Sequence, residues 1–177
     1  LPVFDSLHGE SKIKYYMNRN EQGAGHCAEG YAKITGKPGI IVTTSGPGVT
    51  NLITPLQDSY SDGIPLVVLT GQVPSYALKT DAFQECPAIE LTKPCTKWNY
   101  QLQCVSDIES TIEKAFHIAT SGRPGPVHID IPKDIMIQTY ESTPAEHRSY
   151  LYGLDDDRLN QKNENKKHRI KNSEIYN

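Results

Sequence analysis

Apolar residues fall into blocks of different period along the chain, and the blocks predict alternating strands and helices. Ile13 to Met17 reads as a short strand. From Glu21 to Thr35 the apolar positions Ala24, Cys27, Ala28, Tyr31 and Ala32 recur at helical spacing,. Gly23, Gly25 and Gly30 would each cost a free helix about 1 kcal/mol against alanine, so they predict close approach by another backbone or a ligand,. Gly36-Lys37-Pro38-Gly39 stops that helix,. The unbroken β-branched run Gly39 to Thr44 predicts a strand covered on both faces,. Ser45-Gly46-Pro47-Gly48 is a turn, with Pro47 opening a helix to about Tyr60, before Asp62-Gly63,.

Further along, Leu66 to Thr70 reads as a strand, and a long loop carries Thr80-Asp81-Ala82-Phe83-Gln84-Glu85. A short helix at Ala88 to Leu91 and a strand at Trp98 to Gln101 follow. Ser106 is placed to cap a helix from Asp107 to Thr120, and Val127 to Ile131 closes the pattern as a strand,. Strands alternating with helices predict an α/β fold, a doubly wound parallel sheet flanked by helices. The pattern ends near Ile137. Residues 1–137 therefore read as one domain and residues 138–177 as a polar, disordered tail, rich in Asn, Lys and Glu and without apolar periodicity,.

Composition narrows the function classes. A formal net charge of -3 argues against general nucleic-acid binding, and no apolar run approaches the roughly 20 residues that span a bilayer,. Cys27, Cys86, Cys95 and Cys104 form no C-x-x-C pair, and the histidines lack zinc spacing, so free thiols in a reducing compartment and no metal site are expected,. Leu1 reads as the middle of a structured segment, an N-terminal truncation.

Two strand-to-helix junctions stand out, Asn18 to His26 and Thr43 to Gly48. In doubly wound sheets such junctions lie at the carboxyl edge, where ligands bind. Gly23-Ala24-Gly25-His26-Cys27-Ala28 satisfies a relaxed dinucleotide-binding pattern, but it lies inside the helix and Ile40–Ile41 stands where an acid for ribose belongs,. Glu21 alone is explained as an acid in the first helical turn, worth about 0.3–1 kcal/mol against the dipole.

The string around Glu21 widens that reading. Glu21-Gln-Gly-Ala-Gly-His-Cys-Ala-Glu-Gly-Tyr-Ala-Lys33 resembles the N-terminal pyrimidine-binding domain of thiamine-diphosphate enzymes. The likeness continues through Thr44 to Gly48, Asn51-Leu52, Asp58, Pro65-Leu66 and Thr70-Gly71-Gln72. Thr80 to Glu85, Thr96-Lys97, Asn99, Thr120 to Pro126 and Asp130 to Asp134 look specifically like acetolactate synthase catalytic subunits. The resemblance implies that Glu21 hydrogen-bonds the aminopyrimidine N1′ of thiamine diphosphate and favours its imino tautomer. A carboxylate suits this task because burial raises its pKa and lets it share a proton. It further implies that Ser45, Gly46, Pro47 and Gly48 pack beside the pyrimidine, with Gln84 and Phe83 facing the thiazolium and substrate entry. Lys133 would line the substrate channel, Arg123 would contact FAD, and His26 and Gln72 would shape the pocket. From residue type alone the same positions also read as an ordinary turn, a loop aromatic, a solvated lysine, a turn arginine and core packing.

Some family parts are not found. Leu1-Pro2-Val3-Phe4 resembles the point after a Gly-Gly-Ala turn, and no Gly-Asp-Gly metal motif for Mg²⁺ and the diphosphate follows. Asn20 and Trp98 stand where synthases commonly show histidine. The expectation is the pyrimidine half of an acetolactate synthase-like carboligase acting on 2-keto acids. It would pair with a second copy or with a complementing subunit, and would not turn over alone. A related 2-keto-acid decarboxylase and a non-catalytic docking module remain alternatives.

Overall fold

β-Branched and leucine-rich segments without charge can only be satisfied between two layers, and the sequence supplies such segments for the centre of a sheet. The computed structural model describes residues 2–140. In order, these form α1 (Pro2–Gly9), α2 (Glu21–Thr35), β1 (Gly39–Thr43), α3 (Pro47–Thr50), α4 (Ile53–Asp62), β2 (Leu66–Gln72) and α5 (Ala88–Thr92). β3 (Trp98–Gln101), α6 (Ile108–Thr120), β4 (Pro126–Pro132) and α7 (Lys133–Met136) follow. All strand pairs are parallel, in the order β1-β2-β4-β3. The expected tail falls almost wholly outside the described residues.

Period-2 alternation in β2 and β4 assigns the two faces. Leu66 and Val68 pack with Ala28, Ala32, Ile41, Leu52 and Leu56 under α2 and α4. Val67, Val127, Ile129 and Ile131 pack with Ala115 and Ala119 of α6 on the opposite side. Helices therefore cover both faces, as a doubly wound sheet requires. Every residue of β4 is buried.

α2 begins where Asn20 accepts a hydrogen bond from the Gln22 N–H at 2.8 Å and ends on Gly36 in the left-handed region,. The close approach expected of its glycines is made at Gly25: a Cβ there would lie 2.3 Å from Pro55 Cγ of α4. Gly23 and Gly30 face open space.

Four expectations are corrected. β1 is not covered on both faces: it lies at one end of the sheet, and Ile40 is 58% exposed. Ile13–Met17 forms no strand: it joins no pair in the sheet, and Ile13, Tyr16 and Met17 are exposed. The helix expected from Pro47 is broken into α3 and α4, because Pro55 has no N–H to return to Asn51 and so belongs in a first turn,. Ser106 does not cap α6. A 3₁₀ turn at Val105–Asp107 precedes that helix, and the Ser106 hydroxyl bonds Cys104 Sγ and the Asp107 carboxylate instead.

Candidate functional site

The carboxyl edge of the sheet gathers the chain segments that follow β1, β2 and β4, together with the start of α2, which runs back against β1. Glu21 is the first residue of α2 and is half-buried. Its Oε2 accepts a hydrogen bond from Asn51 Nδ2 at 2.9 Å, while its Oε1 accepts none from the described residues. The Asn51 N–H in turn donates to Pro47 O at 3.0 Å. A short relay thus ties the carboxylate to the Ser45–Gly48 turn.

That turn has a defined shape. Gly46 sits at φ 57°, ψ -110°, a conformation that a side chain disfavours,. A Cβ there would stand 2.7 Å from Gln84 O. Gly48 is buried against Thr43, whose hydroxyl donates to Gly48 O at 3.2 Å. Ser45 is half-buried and Pro47 exposed. The Gln84 backbone therefore rests on the turn, and Phe83 beside it is 89% exposed. Lys133 opens α7 at the end of β4 and is exposed at the same edge.

Arg123 is not brought to this group. It precedes β4, at the amino edge, and seven strand residues at about 3.3 Å each put roughly 20 Å between the two edges,. Its guanidinium donates to Tyr60 O at 2.8 Å and to Ser61 O, closing the carbonyl end of α4. His26 also turns elsewhere, into the α2–α4 seam. Its Nδ1 lies 2.5 Å from Glu29 Oε2, and Glu29 Oε1 accepts from Ser59 Oγ at 2.8 Å. Asp58 offers a third ligand-type atom within 4.8 Å of those two groups.

Beneath the edge lies a buried polar network that the hydrophobic pattern did not reveal. Thr70 Oγ1 donates to Asp130 Oδ1 at 2.8 Å and lies 2.7 Å from His128 Nε2. His128 Nδ1 is 2.9 Å from Thr92 Oγ1. Gln72 and Gln101 both donate to Asp130 Oδ2, at 3.1 and 2.9 Å. Burial pushes the His128 imidazole down to about 3, so it is neutral,. Burial pushes the Asp130 carboxyl up, against the downward pull of the Gln101, Thr70 and Gln72 donors. The signal was present in sequence: Thr70-x-Gln72 and His128-x-Asp130 place polar groups at period 2 on one face of otherwise apolar strands,.

Gln72 and Gln101 also line a cavity of about 740 Å³, with Lys79, Asp81, Cys86 and Asn99 among its other walls. Glu21 and the Ser45–Gly48 turn are not among its lining residues. The Glu21 carboxylate thus lies apart from this cavity.

Residues 1–91 match the family model described as thiamine pyrophosphate enzyme, N-terminal TPP binding domain. The chain belongs to that family. Among its relatives, the mitochondrial acetolactate synthase catalytic subunit of Saccharomyces cerevisiae is 53% identical over 135 residues, 76% of this chain and 20% of the yeast protein. The acetolactate synthase large subunit of Corynebacterium glutamicum is 50% identical over 135 residues, 76% of this chain and 22% of that subunit. The chloroplastic acetolactate synthase of Arabidopsis thaliana is 51% identical over 138 residues, 78% of this chain and 21% of the plant protein. The chain spans about a fifth of the length of these relatives. The parallel sheet between helices is consistent with this cofactor-binding domain. No helix among the described residues is long and apolar enough to cross a membrane.

Proposed function

We propose that this chain supplies the pyrimidine half of a thiamine-diphosphate site in an acetolactate synthase-like carboligase acting on 2-keto acids, with Glu21 as the activating carboxylate. One observation carries the reading: Glu21 is held at the carboxyl edge by Asn51 through one oxygen, with the other left to meet a ligand. The residues fit an aminopyrimidine, a flat heterocycle with a basic ring nitrogen. Glu21 holds a proton at N1′, and the Gly46 turn, without a side chain, lets the backbone approach the ring. Thiamine diphosphate, when bound, supplies the electron sink for decarboxylation. Phe83, Gln84 and Lys133 border the substrate entry from the same edge, Gln84 in a catalytic role and Lys133 along the channel.

The described residues do not gather a group suited to Mg²⁺ and a diphosphate at this edge, so those contacts belong to another domain or a second subunit. A homodimer or a complementing subunit would provide them. An FAD contact through Arg123 would lie at the amino edge, where its guanidinium already caps α4.

Mixing this chain with a second polypeptide that carries the diphosphate and FAD domains tests the reading. Acetolactate formed from pyruvate with thiamine diphosphate, Mg²⁺ and FAD, and lost with Glu21→Gln, is the expected result. A well-folded but inactive mixture refutes it in favour of a docking module.

A further inference from the structure

The loop between β2 and α5 holds three non-glycine residues in the left-handed region, Lys79 at φ 63°, Asp81 at 58° and Gln84 at 61°. Each such residue is disfavoured unless its surroundings over-determine it. The loop is anchored at both ends: Ser75 donates from N and Oγ to Asp134 Oδ1 at 2.9 and 3.1 Å, and Gln72 Nε2 donates to Cys86 O at 3.1 Å. Between these anchors, one side chain gathers the turns. The Glu85 carboxylate accepts backbone N–H groups from Lys79, from Thr80 at 3.1 Å and from Ala82 at 3.3 Å.

Three donors that converge on one carboxylate require the backbone to curl around it, and the positive φ angles are that curl. The Lys79 N–H holds the Glu85 carboxyl below its ordinary 4.5, with Thr80 and Ala82 adding to the effect against a smaller desolvation,. Phe83 and Gln84 form the crest of the curl, and the Gln84 backbone abuts Gly46. We infer that Glu85 is a positioning residue: its carboxylate latches the 79–85 loop so that Phe83 and Gln84 are presented over the Gly46 turn. The role of the presented residues rests on the function proposed above; the latch itself does not.

The sign of its pH dependence follows from the lowered folded-state value. The latch is fully present above about 4.5 and is lost as pH falls through the lower folded value,. The amide protons of Lys79, Thr80 and Ala82 in this chain should therefore share one titration with a midpoint below 4.5. Glu85→Gln should abolish that titration while leaving the β2 and β4 amides in place. Glu85→Ala should speed tryptic cleavage after Lys79 by at least about tenfold, because cleavage follows the population of the opened loop. A titration that survives Glu85→Gln, or cleavage unchanged in Glu85→Ala, overturns the latch. Both are read on the chain alone, so they stand apart from whether any assembly turns over. In an active assembly, Glu85→Gln should lower kcat/KM for the keto acid at least about tenfold, with thiamine-diphosphate affinity kept within about threefold, because small misplacements of positioned groups are costly. An unchanged kcat/KM there overturns the positioning role.

Discussion

Thr70→Val is the most incisive perturbation of the buried network. Thr70 is 1% exposed, and its hydroxyl serves two fully buried groups, His128 and Asp130. Valine keeps the shape and removes both partnerships. Each orphaned buried group costs about 1–3 kcal/mol, and the added methyl returns about 0.8 kcal/mol, so the net loss is about 1–5 kcal/mol. Thr70→Ser keeps the hydroxyl and loses one methyl, about 1 kcal/mol. Urea unfolding at pH 7, followed by circular dichroism, separates the two. A Thr70→Val loss below about 1 kcal/mol, or one no larger than that of Thr70→Ser, refutes the network as a stability element.

Two further outcomes follow from the same geometry. His128 has a folded value of about 3 against an ordinary 6.5, so the unfolded chain binds the extra proton between them and stability falls as pH drops through that window,. The slope is at most about 1.4 kcal/mol per pH unit, partly offset by Asp130, whose raised value acts in the opposite direction,. Urea midpoints at pH 7 and about 4.5 should differ accordingly, and His128→Gln should flatten the difference. Gly46→Ala adds a Cβ at φ 57° and 2.7 Å from Gln84 O, and should cost about 1–3 kcal/mol in urea unfolding and free the loop, read as faster proteolysis at Lys79,.

Much of this fold was legible because the decisive signals are local. The run at Leu66 carries no charge, so burial on both faces was forced before any neighbour was known, whereas the equally apolar run at Gly39 became an end strand that leaves Ile40 58% exposed,. α2 was marked at both ends, by the first-turn acid Glu21 and by Gly36, while its Asn20 cap emerged only in the structure. The misreadings concern properties that no single segment owns. A strand exists only with a partner, and Ile13–Met17 has the residues of one without joining the sheet. Ser106 has a capping side chain, but backbone geometry gave the start of α6 to Asp107. The site divided in the same way. Glu21, the Gly46 turn and the loop at Phe83 converge because strand ends share an edge, which topology predicts. The partner of Glu21, the left-handed crest under Glu85 and the face shared by Thr70, His128 and Asp130 depend on distances between segments remote in sequence. Arg123, read as an FAD contact, lies at the opposite, amino edge, a separation that only the strand direction reveals.

The central claim is that Glu21 activates thiamine diphosphate through N1′. Its most direct measurement is the rate at which the cofactor's C2 proton exchanges with deuterated solvent, followed by NMR in the complemented assembly. Proton transfer assisted by a positioned side chain contributes roughly 10²–10⁴-fold, so the account predicts that Glu21→Gln slows exchange by about that factor while the cofactor still binds. Exchange at the unsubstituted rate in Glu21→Gln, with the cofactor bound, would contradict it.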